Sequence, residues 1–235
     1  MHNTDPAELE KFEQLAASWW DPAGDSQPLH LLNPLRFGYI EHHATLSGLS
    51  ILDVGCGGGL LSELMAKAGG RVLGIDAGHA QVSVATLHAR DAGVTLEYEQ
   101  ATAEQLRDRA NEAFDLVTCM ELLEHVPDPL SVVTACAELL RPGGKAIFST
   151  INRSLGAWLK TIVAAEHLLG LLPKGTHRYE NFIRPAELAA WGRAANLRVV
   201  DITGVDYRPI TQTFYLVPEP RANYMMCLAR PMAND

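Results

Sequence analysis

The chain has 235 residues, 47% hydrophobic and 20% charged, which suits one α/β domain (1–235) with a substantial core. A formal charge of −9 argues against a general nucleic-acid binder, and no uninterrupted apolar run reaches transmembrane length. Cys56, Cys119, Cys136 and Cys227 form no C-x-x-C pair and read as reduced thiols in a cytoplasmic setting, while the acidic amino terminus matches neither a secretory signal nor a transit peptide.

Residues 5–20 read as a helix, with Asp5 or Thr4 as cap, Pro6 at its first position, and Phe12, Leu15, Ala16 and Trp19 on one face. Trp19-Trp20-Asp21-Pro22 ends it. A polar loop follows, and Pro34 is expected to start a second helix to about residue 45, carrying Arg36 and Tyr39. Taken alone, a helical Arg36 is a solvated surface charge.

Ser50-Ile-Leu-Asp-Val54 then reads as a short buried strand, and Leu60 onward as a helix. Between them stand Gly55, Gly57, Gly58 and Gly59, which let backbone approach a ligand closely. A strand, a glycine turn and a helix opening at that turn make a nucleotide-type binding corner. Leu60 takes the place of the third glycine in G-x-G-x-x-G, so the dinucleotide fingerprint fails at its last position. What remains, Asp53-x-Gly55-x-Gly57-x-Gly59, resembles the first motif of class I S-adenosylmethionine-dependent methyltransferases. That cofactor has no phosphate to cradle. It has an amino-acid tail, whose ammonium a carboxylate at Asp53 can hold directly or through water.

A second apolar strand, 71–76, ends in Asp76, 21 residues after Gly55, where an acid accepts both ribose hydroxyls; a turn-starting or helix-capping role is the plainer alternative. Helices are predicted over 60–68 and 78–92, the second ended by Gly93, and a peripheral strand over 94–98. Residues 101–104 fall where methyltransferases place an adenine contact, with Ala101 where many have an acid.

A fourth strand, 114–119, opens onto Met120-Glu121-Leu-Leu-Glu124-His125-Val-Pro127. In open α/β sheets the carboxyl ends of strands face the ligand crevice. Met120 can pack against the adenine or sulfonium region, and His125 can take a proton from an acceptor hydroxyl. On a helical turn Glu121, Glu124 and His125 would share a face and could bind a divalent cation; separate structural roles are the alternative, and the metal question stays open.

A helix over 130–140 and the turn Arg141-Pro-Gly-Gly144 lead to a fifth strand, 145–150. An insertion follows at 151–177, its apolar middle 155–172 readable as a core helix, an active-site lid or an interfacial membrane helix. The last helix, 185–196, ends at Asn196 in a left-handed turn. Strands 198–205 and 224–229, joined through 207–221 with no long crossover, should pair antiparallel. The expected fold is a Rossmann-like, doubly wound α/β sheet of seven strands. It is mainly parallel with an antiparallel last strand, and it carries amino-terminal helices (1–48) and the insertion.

Several blocks together resemble the O-methyltransferase family of ubiquinone biosynthesis: Phe12-Glu-Gln-Leu-Ala-Ala-Ser-Trp-Trp-Asp21, Asn33-Pro-Leu-Arg36, the glycine loop, Thr118-Cys-Met-Glu-Leu-Leu-Glu-His-Val-Pro-Asp-Pro129, Pro173-Lys-Gly-Thr-His177 and Phe182-Ile-Arg-Pro-Ala-Glu-Leu188. The resemblance covers nearly the whole chain. It implies S-adenosylmethionine as cofactor, held by Arg36, Gly55, Asp76 and Met120, with Asp53 and Gly57 from the loop beside them. It also implies O-methylation of ring hydroxyls on polyprenylated phenol and catechol intermediates, with His125 completing deprotonation. A lipid-tailed substrate favours peripheral contact with the inner face of the cell membrane through 155–172, or with partners in a biosynthetic complex. Rival readings are a methyltransferase for another small molecule and a non-catalytic cofactor-binding scaffold.

Overall fold

The computed structural model describes residues 3–110, 113–154 and 179–232. Five parallel strands form its centre: β1 (Ser50–Val54), β2 (Arg71–Asp76), β3 (Glu97–Gln100), β4 (Phe114–Met120) and β5 (Leu140–Ile151). With β6 (Arg198–Arg208), β7 (Thr213–Val217) and β8 (Asn223–Ala229) the sheet order is β3-β2-β1-β4-β5-β8-β6-β7. The last strand, β8, runs antiparallel to both β5 and β6, as the short connection required. The sheet has eight strands rather than seven. Thr213-Phe-Tyr-Leu-Val217, inside the expected linker, is β-branched and aromatic and folds back on an extended β6, with Tyr207 opposite Phe214 and their rings 4.8 Å apart.

Period-two alternation splits the strands between two cores. Leu52, Val117, Phe148 and Leu228 enter one cluster, while Ile51, Leu116, Ile147 and Cys227 enter the other, on the opposite face. Each such aliphatic side chain, when fully buried, contributes about 1.5–3 kcal/mol. All four cysteines are buried and free.

The helices are α1 (Pro6–Leu15), α2 (Gln27–His43), α3 (Leu60–Lys67), α4 (His79–Asp91), α5 (Ala103–Arg107), α6 (Pro129–Leu139) and α7 (Pro185–Ala194). Asp5 caps α1 by accepting from the Ala7 N–H at 2.9 Å, with Pro6 behind it. Helix α2 starts a full seven residues before Pro34, which lies inside it; Pro28 occupies the first turn instead. A proline can stay within a helix when packing on both sides holds it, and here Leu32, Asn33 and Arg36 are buried around it. Asn196 adopts φ 59° just beyond α7, the left-handed terminator read from the sequence.

From β1 the chain proceeds outward through β2 and β3, and from β4 it proceeds the other way to β5. The crevice between β1 and β4 is therefore the topological switch point, where loops leave the two strands in opposite directions. Of the insertion 151–177, residues 155–177, which include the apolar stretch 155–172, lie outside the described residues.

Candidate active site

Val54 and Cys119 are register partners at the ends of β1 and β4, so the glycine loop and the segment after Met120 open onto the same space. A cavity of about 580 Å³ occupies it, and Arg36, Asp53, Gly55, Gly57, Asp76, Met120 and His125 all line it.

The glycine turn is built by backbone hydrogen bonds. Gly55 and Cys56 both donate to the Ile75 carbonyl, at 2.8 and 3.0 Å, which ties the loop to β2. Gly57 has φ +54°, and a Cβ there would overlap the Trp19 ring. Trp19 lies equally close over Gly58, and the neighbouring Trp20 donates from Nε1 to the Gly58 carbonyl at 2.8 Å. The glycines at 57 and 58 thus admit an indole from the amino-terminal segment. Trp20 also stacks face to face on His88, centroids 3.3 Å apart, and His88 Nδ1 meets the buried Glu63 at 2.6 Å.

Asp53 is buried, with Oδ1 accepting from Thr118 at 2.8 Å and Oδ2 from Ser62 at 2.6 Å. It therefore braces α3 against β4 while facing the cavity. Burial pushes its carboxyl up to about 6, against the opposing pull of the two hydroxyls and of Arg36. Asp76 sits half-buried at the tip of β2, its oxygens fixed by the N–H groups of Gly57 at 3.0 Å and Gly78 at 2.8 Å. The turn-starting role and the cavity-facing position coexist. Burial raises its carboxyl above the usual range, while these two N–H donors oppose the rise.

Arg36 is not a solvated surface charge. It is 6% exposed, and its Nε and Nη2 have no hydrogen-bond partner among the described residues. Burial lowers its proton affinity, countered mainly by Glu121 and then by Glu124 and Asp53. A buried guanidinium with unsatisfied donors is set up to receive an anion of fixed geometry. Met120, 8% exposed, ends β4 and packs with the α2-side core while bordering the cavity.

Past Met120 the backbone is strained, with Glu121 at φ 53°. The helical turn expected over Glu121 to His125 is only a 3-10 turn, Leu123–His125, and the three polar groups part company. Glu121 accepts from Ser149 at 2.7 Å. The buried Glu124 accepts from Thr150 at 2.8 Å, and His125 Nδ1 meets Glu8 Oε2 at 2.7 Å. Among the described residues no three His, Cys, Asp or Glu groups are placed to hold a metal ion. Glu124 is pushed up to about 7, first by burial and then by Glu121.

Sequence reasoning missed Glu8 and Trp19 as residues that line the cavity. The only local signal for Glu8 is its i, i+4 spacing from Phe12, which places both on one face of α1. Its partner His125 lies 117 residues away.

The cradle fits S-adenosylmethionine on three counts: unsatisfied buried guanidinium donors for a carboxylate, a buried carboxylate on the cavity wall, and an oriented acid at the tip of the second strand. A family model described as a methyltransferase domain matches residues 12–202. The fold is shared with magnesium protoporphyrin IX methyltransferase from Synechocystis, crystallised with bound SAH, at TM-score 0.68 and 17% identity over 94% of each chain. It is shared too with a SAM-dependent methyltransferase from Aquifex aeolicus, at TM-score 0.65 and 16% identity over 96% of this chain and 98% of that one. Fold and site define an S-adenosylmethionine-dependent methyltransferase. A protein of Pseudomonas fluorescens Pf-5 named ubiquinone biosynthesis O-methyltransferase is 52% identical over 226 residues, 96% of this chain and 97% of its own length. One of the same name from Ralstonia nicotianae is 50% identical over 98% of this chain and 97% of its own. The chain belongs to the ubiquinone biosynthesis O-methyltransferases.

Proposed function

We propose that this enzyme methylates ring hydroxyls of polyprenylated phenol and catechol intermediates of ubiquinone biosynthesis, with His125 as the general base. The observation carrying this reading is that His125 borders the same cavity as Arg36, Asp53 and Asp76. In this assignment Arg36 meets the cofactor carboxylate, Asp53 its ammonium and Asp76 its ribose hydroxyls, while Met120 packs beside the reacting end and Gly55 and Gly57 clear its path. When bound, S-adenosylmethionine supplies an electrophilic methyl group on a sulfonium. The chain then orients the ring hydroxyl and removes its proton; for an acidic catechol, positioning supplies much of the rate.

The lipid tail is the second part of the proposal. Leu29, Leu32, Val205 and Phe214 give the cavity apolar walls, and Tyr207 and Pro209 extend that wall along the β6–β7 hairpin. At the hairpin's turn Ile210 is 98% exposed. These features, with the apolar sequence of 155–172, support a cytoplasmic enzyme docking peripherally at the inner membrane face. Among the described residues no helix is long and apolar enough to cross a membrane.

The test is an incubation with labelled cofactor and a short-tailed prenyl catechol, followed by determination of the product. Label on a ring oxygen is expected, with a large loss of turnover and little change in cofactor affinity for His125→Asn. Label on carbon or nitrogen overturns the reaction assigned, and turnover of His125→Asn within twofold of the native enzyme overturns the base. Flotation with liposomes tests docking; a protein that stays at the bottom of the gradient with anionic and neutral vesicles alike removes the membrane half.

A further inference from the structure

We infer that Gln81 is a further cofactor-binding residue, its side-chain amide holding the ribose of S-adenosylmethionine together with Asp76; this rests on the placing of the ribose at Asp76. Gln81 stands on the first turn of α4, lines the cavity with Asp76 and Ala77, and is 2% exposed. Neither its Nε2 nor its Oε1 has a hydrogen-bond partner among the described residues. The other buried residues of that helix, Ala85 and Ala89, are small and apolar, and Ala85 lies against Gly59 of the glycine loop. A buried amide without partners is rare in folded proteins, because its desolvation is not offset.

The plain structural role for this glutamine is already taken. At the third position of a helix, Gln commonly reaches back to accept from the N–H of the cap residue. Here the cap is Gly78, whose N–H donates to Asp76 Oδ1 at 2.8 Å instead. Gln81 Oε1 still stands where a Cβ of Gly78 would lie, a point 3.3 Å from Asp76 Oδ1. Carboxylate and amide therefore converge at the tip of β2, and glycine at 78 leaves room for both. The tip is held from the side of β3. The Ala101 N–H donates to the Asp76 carbonyl and Gln100 Nε2 to the Ala77 carbonyl, both at 3.0 Å.

A ribose diol needs a donor as well as an acceptor. Each hydroxyl has one proton to give and two lone pairs to fill. Asp76 as a carboxylate only accepts, and the Gly57 and Gly78 N–H groups point at its own oxygens. Gln81 Nε2 supplies the missing donor to one ribose oxygen, while Oε1 accepts from the neighbouring hydroxyl. A neutral amide does so without placing a second negative charge beside Asp76. A ligand lacking the hydroxyl would leave these buried groups unpaired, which is a strong basis for discrimination.

Calorimetric affinity for S-adenosylhomocysteine and the melting temperature without ligand are measured for the native enzyme, Gln81→Met, Gln81→Glu and Asp76→Ala. The titrations are repeated with the 2′-deoxy and 3′-deoxy analogues and with the purine analogue lacking the 6-amino group. Gln81→Met should bind S-adenosylhomocysteine about 10-fold more weakly, and Gln81→Glu more weakly still. Ligand-free Gln81→Met should melt at or above the native temperature, because a chain of similar volume replaces an unpaired buried amide. With one of the deoxy analogues, native enzyme and Gln81→Met should agree within about twofold, the contact being gone from both. Native affinity of Gln81→Met while Asp76→Ala is weakened overturns the role of Gln81 and leaves the ribose at Asp76. Native affinity of Asp76→Ala overturns both. A deficit that persists with both deoxy analogues and vanishes without the 6-amino group puts the amide on the adenine and overturns the ribose contact. A deficit equal for every ligand overturns it as well, since Gln81 would then act through the fold alone.

Discussion

Arg36 Nη2 lies 3.6 Å from Glu121 Oε1, near enough for attraction and too far for a hydrogen bond. Glu121 already accepts from Ser149, and its backbone is held at φ 53°. The guanidinium is thus buried beside a counter-charge that does not satisfy it, an arrangement that favours ligand binding over stability. Arg36→Met should weaken S-adenosylmethionine binding by about 1.5–3 kcal/mol and lower the melting temperature of the ligand-free protein, because Glu121, Glu124 and Asp53 lose the cation that offsets them. Calorimetry and thermal melting check the two halves; unchanged affinity would take Arg36 out of the cofactor site.

Asp76→Ala should also weaken the cofactor by about 1.5–3 kcal/mol, the range for hydrogen bonds to a charged group. Its half-buried place at a strand tip predicts that the fold survives. The Gly57 and Gly78 N–H groups lose their acceptor, so amide exchange in the loop should quicken as well. A folded variant with native affinity in calorimetry would contradict the ribose assignment.

Trp20→Phe keeps an aromatic ring over His88 and removes the Nε1 donor to Gly58. It should lower stability by about 1 kcal/mol, the usual net worth of such a bond. Trp20→Ala should cost more, because the stack on His88 goes too. Denaturant unfolding measures both. Equal stability of the two variants would mean that the stack contributes nothing to the seating of the amino-terminal segment.

Glu124 supplies a pH dependence whose sign is opposite to that of an ion-paired carboxylate. Burial raises it to about 7 in the folded protein, well above its ordinary value of 4.5. Between those values the folded state holds a proton that the unfolded state has released, so this group's contribution to stability falls as pH rises from about 4.5 to about 7. Glu124→Gln keeps an acceptor for Thr150 and removes the ionisation. Its melting temperature relative to the native protein should therefore climb from pH 5 to pH 8; a difference that stays flat over that range would show that Glu124 titrates normally.

Local features carried much of the fold into the sequence. The apolar runs of β1, β4 and β8 and the glycines after Val54 are properties of neighbouring residues, as is the cap at Asp5, and the structure follows each of them. The connection 207–221 was harder to read, because Thr213–Val217 becomes a strand only by pairing with an extended β6. The start of α2 was hidden by Pro34, which breaks an isolated helix but not one packed on both sides.

The sequence by itself determined the doubly wound sheet, the cofactor corner and the identity of Asp53, Asp76 and His125 as cavity residues. Each follows from short-range periodicity or from the fixed spacing of one βαβ unit. Only the tertiary structure decided that Arg36 is buried and unsatisfied, that Trp19 rests on the glycines, that Glu121, Glu124 and His125 take three separate partners, and that Glu8 holds His125. Those outcomes depend on contacts between segments up to 117 residues apart. Burial and hydrogen-bond pairing are properties of the packed chain, and no local pattern encodes which distant group will fill a given position.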